Sequence, residues 1–307
     1  MKEITVLSPA TVANVVCGFD CLGFALEEPF DRMTLRLTEE KTVRIINRDS
    51  FDLPVDPQKN VAGVALFSIL EKSGADFGFE VEITKGIKPG SGIGSSSASA
   101  AGAVVGANLL LDGRFSQSQL VEAAMDGERV ASGARHADNV APAIYGGFTL
   151  VRSNDPLDVV PLEFPPLFVT VFHPQIEIKT SDAREILRQK IELRNAVSQW
   201  SNVGALVAGL QKGDYDLISR SLEDRIIEPV RRILIPHFDL LKSESLRAGA
   251  LGGGISGSGP SVFMLSQTSA TARKVEAAMR RVFEGSGVEF KTYRSKINPE
   301  GVKITPK

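Results

Sequence analysis

Cysteine is nearly missing from this chain, which has Cys17 and Cys21 and no others. Two thiols cannot build a disulfide framework, and no further cysteine or histidine pair completes a zinc site. Both read as reduced, buried thiols of a protein in a reducing compartment. The formal net charge is only -2, so no basic field invites nucleic acid and no polybasic surface invites a membrane. No apolar run is long enough to cross a bilayer. The opening Met1–Val6 reads as a charged start to a strand rather than a signal peptide. Internal repeats and low-complexity tracts are absent. Histidine occurs three times, and none of His136, His173 and His237 stands in a recognisable general-base motif. His136 draws interest for lying three residues before Asn139.

Two familiar phosphate-binding patterns are also missing. No lysine follows a G-x-x-x-x-G run, which excludes a P-loop. A G-x-G-x-x-G match at Gly252, Gly254 and Gly257 leads into the strand-like Ser261–Leu265 instead of a helix, so a Rossmann cofactor site is not expected.

What the chain does hold is Lys88-Pro89-Gly90-Ser91-Gly92-Ile93-Gly94-Ser95-Ser96-Ser97-Ala98. Before it, Phe79–Thr84 alternates and is rich in β-branched residues, which predicts a strand. After it, Ala98–Leu111 predicts a buried helix of small residues. Glycines admit an anion close to the backbone, and the first helical turn offers unpaired N–H groups at a positive dipole end. The serine hydroxyls suit phosphate oxygens or a metal, so a nucleoside triphosphate is the natural guest. A bland alternative is a tight strand-to-helix connection without a ligand.

A length of 307 residues with 43% hydrophobic and 23% charged residues predicts about two globular domains, here 1–164 and 165–307. Strands are expected at Met33–Leu37, Thr42–Ile46, Gly146–Val151 and Leu167–Phe172. Helices are expected at Val61–Lys72, at Ser116–Ala131 with Ser116 or Ser118 as cap, and at Phe238–Arg247. Two or three helices fill the stretch up to Leu222. Two strands, a helix over Thr271–Phe283 and a strand over Val288–Tyr293 complete the pattern, a mixed α and β chain throughout.

Three blocks carry a resemblance: Pro9-Ala10-Thr11-Val12-Ala13-Asn14 leading to Gly18-Phe19-Asp20-Cys21-Leu22-Gly23, then Pro89–Ser96, then Gly254–Pro260. Together they resemble the GHMP kinase superfamily. The segment His136-Ala137-Asp138-Asn139-Val140-Ala141-Pro142 is similar to the one found in its homoserine kinase family. The resemblance implies an α+β, two-domain GHMP kinase architecture, with a ribosomal S5 domain 2-like N-terminal domain and a ferredoxin-like C-terminal domain. It implies a cytoplasmic enzyme that uses ATP and magnesium to phosphorylate the hydroxyl of L-homoserine in threonine biosynthesis, with a homodimer as the family expectation.

Phosphoryl transfer calls for charge neutralisation and positioning, and magnesium takes one or two carboxylates beside phosphate oxygens and water. Glu128, on the helix after the loop, is the carboxylate expected for that role. The resemblance points to the same residue, with a loop serine, Ser96 foremost, as second contact. Pro89, Gly90, Ser91, Gly92, Ile93, Gly94, Ser95, Ser96 and Ser97 are the expected nucleotide contacts. An α-amino acid acceptor needs an anion for its ammonium and an arginine fork for its carboxylate. By resemblance, Arg184 and Arg231 take the carboxylate, with Arg232 an open alternative in register. Asn14, Asp20, Asp138 and Asn139 serve the ammonium and hydroxyl, and Thr180 stands near the γ-phosphate. The resemblance supplies no dedicated general base, so Asn139, Glu128 and Thr180 are expected to act by orientation and electrostatics. A mevalonate-type kinase and a non-catalytic regulatory relative are the competing readings.

Overall fold

A computed structural model of the protein describes residues 3–178 and 180–305. The first half runs β1 (Glu3–Ala13), β2 (Leu22–Thr38), β3 (Val43–Asn47), α1 (Val61–Ser73), β4 (Gly78–Thr84) and α2 (Ser95–Leu110). It continues with α3 (Gln117–Ser132), α4 (Val140–Tyr145), β5 (Phe148–Asn154) and β6 (Leu157–Leu162). The second half begins with β7 (Phe168–Pro174), α5 (Thr180–Glu185), α6 (Leu193–Lys212), α7 (Tyr215–Ser221) and α8 (Glu228–Arg231). It ends with α9 (Phe238–Arg247), β8 (Gly252–Ile255), β9 (Val262–Ser266), α10 (Ser269–Phe283), β10 (Phe290–Lys296) and β11 (Lys303–Ile304).

These strands form two sheets. The larger follows the order β11-β1-β2-β4-β3, with β5 paired to β2 and β6 to β5. Only the β3–β4 pairing in it is parallel. The smaller is antiparallel in the order β10-β7-β9-β8. Numbered along the chain, that order is 4-1-3-2 on a βαββαβ connection, the ferredoxin-like arrangement.

The largest core lies between the larger sheet and α1, α2 and α3, around Met33, Leu35, Phe79, Val81, Leu66 and Val104. Small residues let α2 lie against the sheet. A Cβ on Gly102 would stand 2.4 Å from Met33 Sδ, and one on Gly106 would stand 2.5 Å from Leu35 Cδ1. A second core, with Phe24, Phe148 and Phe263, joins the two sheets.

Several elements depart from the sequence expectation. β2 starts at Leu22, eleven residues before the expected Met33. Leu22–Leu26 is buried throughout, so it lacks the alternation that marks a strand with one wet face. β6 follows the turn at Asp155-Pro156 and was not expected. It carries Pro161 and pairs with β5 alone, the edge position a proline tolerates. β11 is two residues long and returns to pair with β1, too short to carry a sequence pattern. The helix expected from Ala98 begins at Ser95, so three loop serines form its first turn. Ser116, not Ser118, caps α3, in a capping box with Gln119.

Candidate active site

The loop between β4 and α2 meets the late glycine loop of the smaller sheet. Ser256 Oγ donates to the Gly92 carbonyl at 2.7 Å, and Ser261 Oγ donates to the Ser91 carbonyl at 2.6 Å. Asn14 Nδ2 donates to the Gly257 carbonyl at 2.7 Å, which ties in the turn after β1. All three sequence blocks therefore converge on one cleft of about 640 Å³.

One end of the cleft has the features an anion site needs. Gly94, in the left-handed region at φ +68, precedes the sixteen-residue α2, and no side chain caps that end. A Cβ there would stand 2.0 Å from Thr11 Oγ1, so only glycine fits. Pro89, Gly90, Gly92, Gly94, Ser95, Ser96 and Ser97 line the cleft. Ser91 and Ile93 do not: both are buried beneath the loop, where the Ser91 carbonyl receives Ser261 and the Ile93 carbonyl receives the Thr11 N–H. Ser95 also turns its hydroxyl inward, to the Ile87 carbonyl at 2.9 Å. Lys88 reaches across to the smaller sheet and donates to Gln175 Oε1 at 2.9 Å.

Beneath this loop lies a buried ion pair that the sequence did not announce. Lys85 Nζ donates to Asp31, to the Ser95 carbonyl at 2.7 Å and to Ser99 Oγ at 2.9 Å. Asp31 in turn accepts the backbone N–H groups of Gly86 and Ile87, each at 3.0 Å. The pair thus grips the phosphate-loop segment where it leaves β4 and where it enters α2.

Glu128, on α3, is buried and lines the same end. Burial pushes its carboxyl up, while the hydroxyls of Ser96 and Ser97 and the charge of Lys85 favour the ionised form. Arg135, a near neighbour of Glu128 in sequence, pairs with Asp126 at 3.2 Å. Among the described residues no cluster of three or more His, Cys, Asp or Glu side chains is placed to hold a metal. One carboxylate with hydroxyls beside an anion-binding helix end nonetheless fits magnesium, which completes its shell with phosphate oxygens and water.

The other end is charged in both senses. Arg184, from α5, donates from Nη2 to both Asp20 carboxylate oxygens, at 2.9 and 3.1 Å. Arg231 is buried; its Nε donates to the Ala183 carbonyl at 2.8 Å and its Nη1 to Gly257 at 3.3 Å. Arg232 points elsewhere and pairs with Asp239 at 2.9 Å, so of the two it is Arg231 that lines the cleft. Both cleft guanidiniums lie over the Phe19 ring, at 5.6 and 5.1 Å from its centre. Asn14 accepts the Asp20 N–H at 3.0 Å. Asn14, Val15, Val16 and Asp20 all have positive φ, a concentration of backbone strain of the kind that clusters at functional sites.

Between the two ends stand Asp138, Asn139 and His136. Asn139 Oδ1 accepts from Thr11 Oγ1 at 2.7 Å. Asp138 is buried, and its carboxyl is pushed up to about 7 by burial first and by the charges of Asp20 and Glu128 second. Burial pulls the His136 imidazole down. Thr180 opens α5, and its side chain lies outside the described residues. Neither cysteine lines the cleft; both are free, Cys17 buried but Cys21 only half-buried, against the sequence expectation, and burial pushes their thiols up to about 12 and about 11. Sequence reasoning also missed an apolar flank of Leu53, Pro54, Val61 and Val130, whose only signal is a hydrophobic turn beside a proline.

Comparison with known proteins gives the family. The family model for the GHMP kinases N terminal domain matches residues 60–147, and the one for GHMP kinases C terminal matches residues 206–285. A homoserine kinase of Chloroherpeton thalassium is 46% identical over 321 residues, spanning 99% of this chain and 100% of that one. One from Xanthomonas campestris is 39% identical, with 99% and 94% covered. The crystal structure of homoserine kinase from Cytophaga hutchinsonii superposes with a TM-score of 0.95 at 49% identity, covering 99% and 98% of the two chains. A Leishmania major mevalonate kinase (TM-score 0.72, 16% identity, 95% of each chain) shares the fold. On these grounds the chain belongs to the homoserine kinase family of the GHMP kinases.

Proposed function

We propose that this protein transfers the γ-phosphoryl group of ATP to the side-chain hydroxyl of L-homoserine, giving O-phospho-L-homoserine for threonine synthesis in the cytoplasm. The observation that carries the reading is a single cleft with a triphosphate end and an α-amino acid end. The uncapped start of α2 and its serines hold the phosphates, and the apolar flank suits the base. Glu128 and Ser96 hold magnesium, which neutralises charge on the transferring group. Arg184 and Arg231 bind the acceptor carboxylate as forks. Asp20 and Asn14 take the ammonium, and Asn139 directs the hydroxyl. The mevalonate reading is disfavoured because an acidic ammonium site has no use for mevalonate, which lacks an amine. Division at residue 164 remains our working boundary, with the last strand returned to the first sheet. The direct test is phosphorus NMR of a reaction with ATP, magnesium and L-homoserine. A phosphomonoester on the C4 oxygen is expected; ATP consumed without that product contradicts the assignment.

Orientation and electrostatics carry the chemistry in this reading, with the hydroxyl proton passing to phosphate or water. One observation favours a second reading: Asp138, with its carboxyl near 7, is matched to take a proton at neutral pH. Asp138→Asn separates them. Loss of kcat by less than about tenfold is expected, whereas about 10²- to 10⁴-fold is the range of a general base. The same variant has a stability signature. The folded carboxyl titrates well above its unfolded value of 3.8, so the folded state keeps a proton the unfolded chain has lost. The contribution of Asp138 to the parent's stability therefore falls as pH rises from about 4 to about 7 and levels off above. The asparagine variant lacks that decline, and chemical denaturation at pH 4 and pH 8 measures it.

A further inference from the structure

The contact between Asp20 and Arg184 joins the two side chains that an α-amino acid would need to find apart. Both oxygens of Asp20 accept from one guanidinium nitrogen, at 2.9 and 3.1 Å. Arg231 is anchored behind it by the Ala183 and Gly257 carbonyls. Phe19 lies under both guanidiniums. Two cations thus share one aromatic ring, and the Asp20 carboxylate stands against Arg184 where a ligand carboxylate would stand.

We infer that the Asp20–Arg184 pair is an internal mimic of the acceptor's charges, and that the site selects α-amino acids by ion-pair exchange. The inference rests on Asp20 and Arg184 both contacting the acceptor. An entering zwitterion gives its carboxylate to Arg184 and its ammonium to Asp20, so every charge released by the opened pair is partnered again. A ligand with one of the two charges must break the pair and leaves one residue without its partner. Arg184 meets the aspartate through one nitrogen and is partly exposed, so the competition is worth about threefold to tenfold in affinity. Selectivity against amine-lacking or carboxylate-lacking alcohols then comes from the protein's own pair as well as from missing contacts.

This makes a prediction of opposite signs that simple contact loss does not. Asp20→Asn frees Arg184, so 4-hydroxybutanoate, which has the carboxylate and no ammonium, should bind about threefold to tenfold more tightly than to the parent. L-Homoserine should bind more weakly to the same variant. Arg184→Gln frees Asp20, and 3-aminopropan-1-ol, with the ammonium alone, should bind more tightly while L-homoserine again weakens. Calorimetric titration of the full chain reads both arms, with ATP binding as the check that each variant is folded. If either variant fails to fold, the other arm decides. Weaker or unchanged binding of the singly charged ligands to the folded variants overturns the exchange. Failure of the parent to bind L-homoserine overturns the functional reading instead, so the two failures are distinct.

Discussion

Lys85→Met should lower the stability of the fold by about 3–5 kcal/mol, the usual cost of leaving a buried charge without its partner. The side chains of Lys85 and Asp31 are 1% and 0% exposed, so water cannot reach Asp31 to compensate. The Asp31 carboxylate would retain only the Gly86 and Ile87 N–H groups. The Ser95 carbonyl and Ser99 hydroxyl would lose their shared donor. Such a cost is a large fraction of the 5–15 kcal/mol typical of a folded protein. Urea denaturation of parent and variant measures it. The double variant Asp31→Asn, Lys85→Met should recover part of the loss, because it removes the orphaned charge. A loss under about 1 kcal/mol, typical of an exposed pair, would contradict the role given to this network. The pair carries function through position: it holds the end of β4 against the start of α2, and that junction shapes the anion site.

Glu128→Gln should reduce kcat/KM by about 10²- to 10³-fold, the scale of removing one preorganised electrostatic contact to a transition state. The substitution preserves shape and removes charge. Its second readout is binding: the parent should hold ATP more tightly with magnesium than without, and the variant should lose most of that difference. Fluorescence titration with a labelled ATP analogue measures both. A variant that keeps its magnesium-dependent affinity and its turnover would remove Glu128 from the metal site. Burial pushes this carboxyl up, while Ser96, Ser97 and Lys85 favour its ionised form, the form that the proposed metal contact needs.

Much of the proposed phosphate site was legible because glycine and serine act through the backbone. Gly92 and Gly94 are needed at positive φ where a Cβ would strike Gly259 and Thr11, and a G-x-G spelling records that need locally. The strand before the loop and the helix after it follow from alternation and small residues. Lys85 and Asp31 were not legible: they are separated by 54 residues and meet only because β2 and β4 are neighbours in the sheet. A lone lysine after a strand looks like any surface lysine until that pairing is known. Asp138 was named as a possible acceptor contact, yet its raised carboxyl pKa comes from burial beside Asp20 and Glu128, which no local pattern reports. Leu22–Leu26 escaped as a strand for the opposite reason. Burial on both sides erased its alternation, and the same run helps join the two sheets. Arg231 and Arg232 could not be told apart by sequence, and only the turn of α8 sends one into the cleft and the other to Asp239.

The measurement that tests the central claim most directly is coupled ADP release with ATP and magnesium, run with L-homoserine, L-serine, mevalonate and no acceptor. Strong turnover is expected with L-homoserine alone, because only it presents an ammonium, a carboxylate and a hydroxyl at the reach this cleft provides. Equal or faster turnover with mevalonate would contradict the reading of Asp20, Arg184 and Arg231 as an α-amino acid site. ATP bound without turnover on any of them would contradict the kinase reading for homoserine itself.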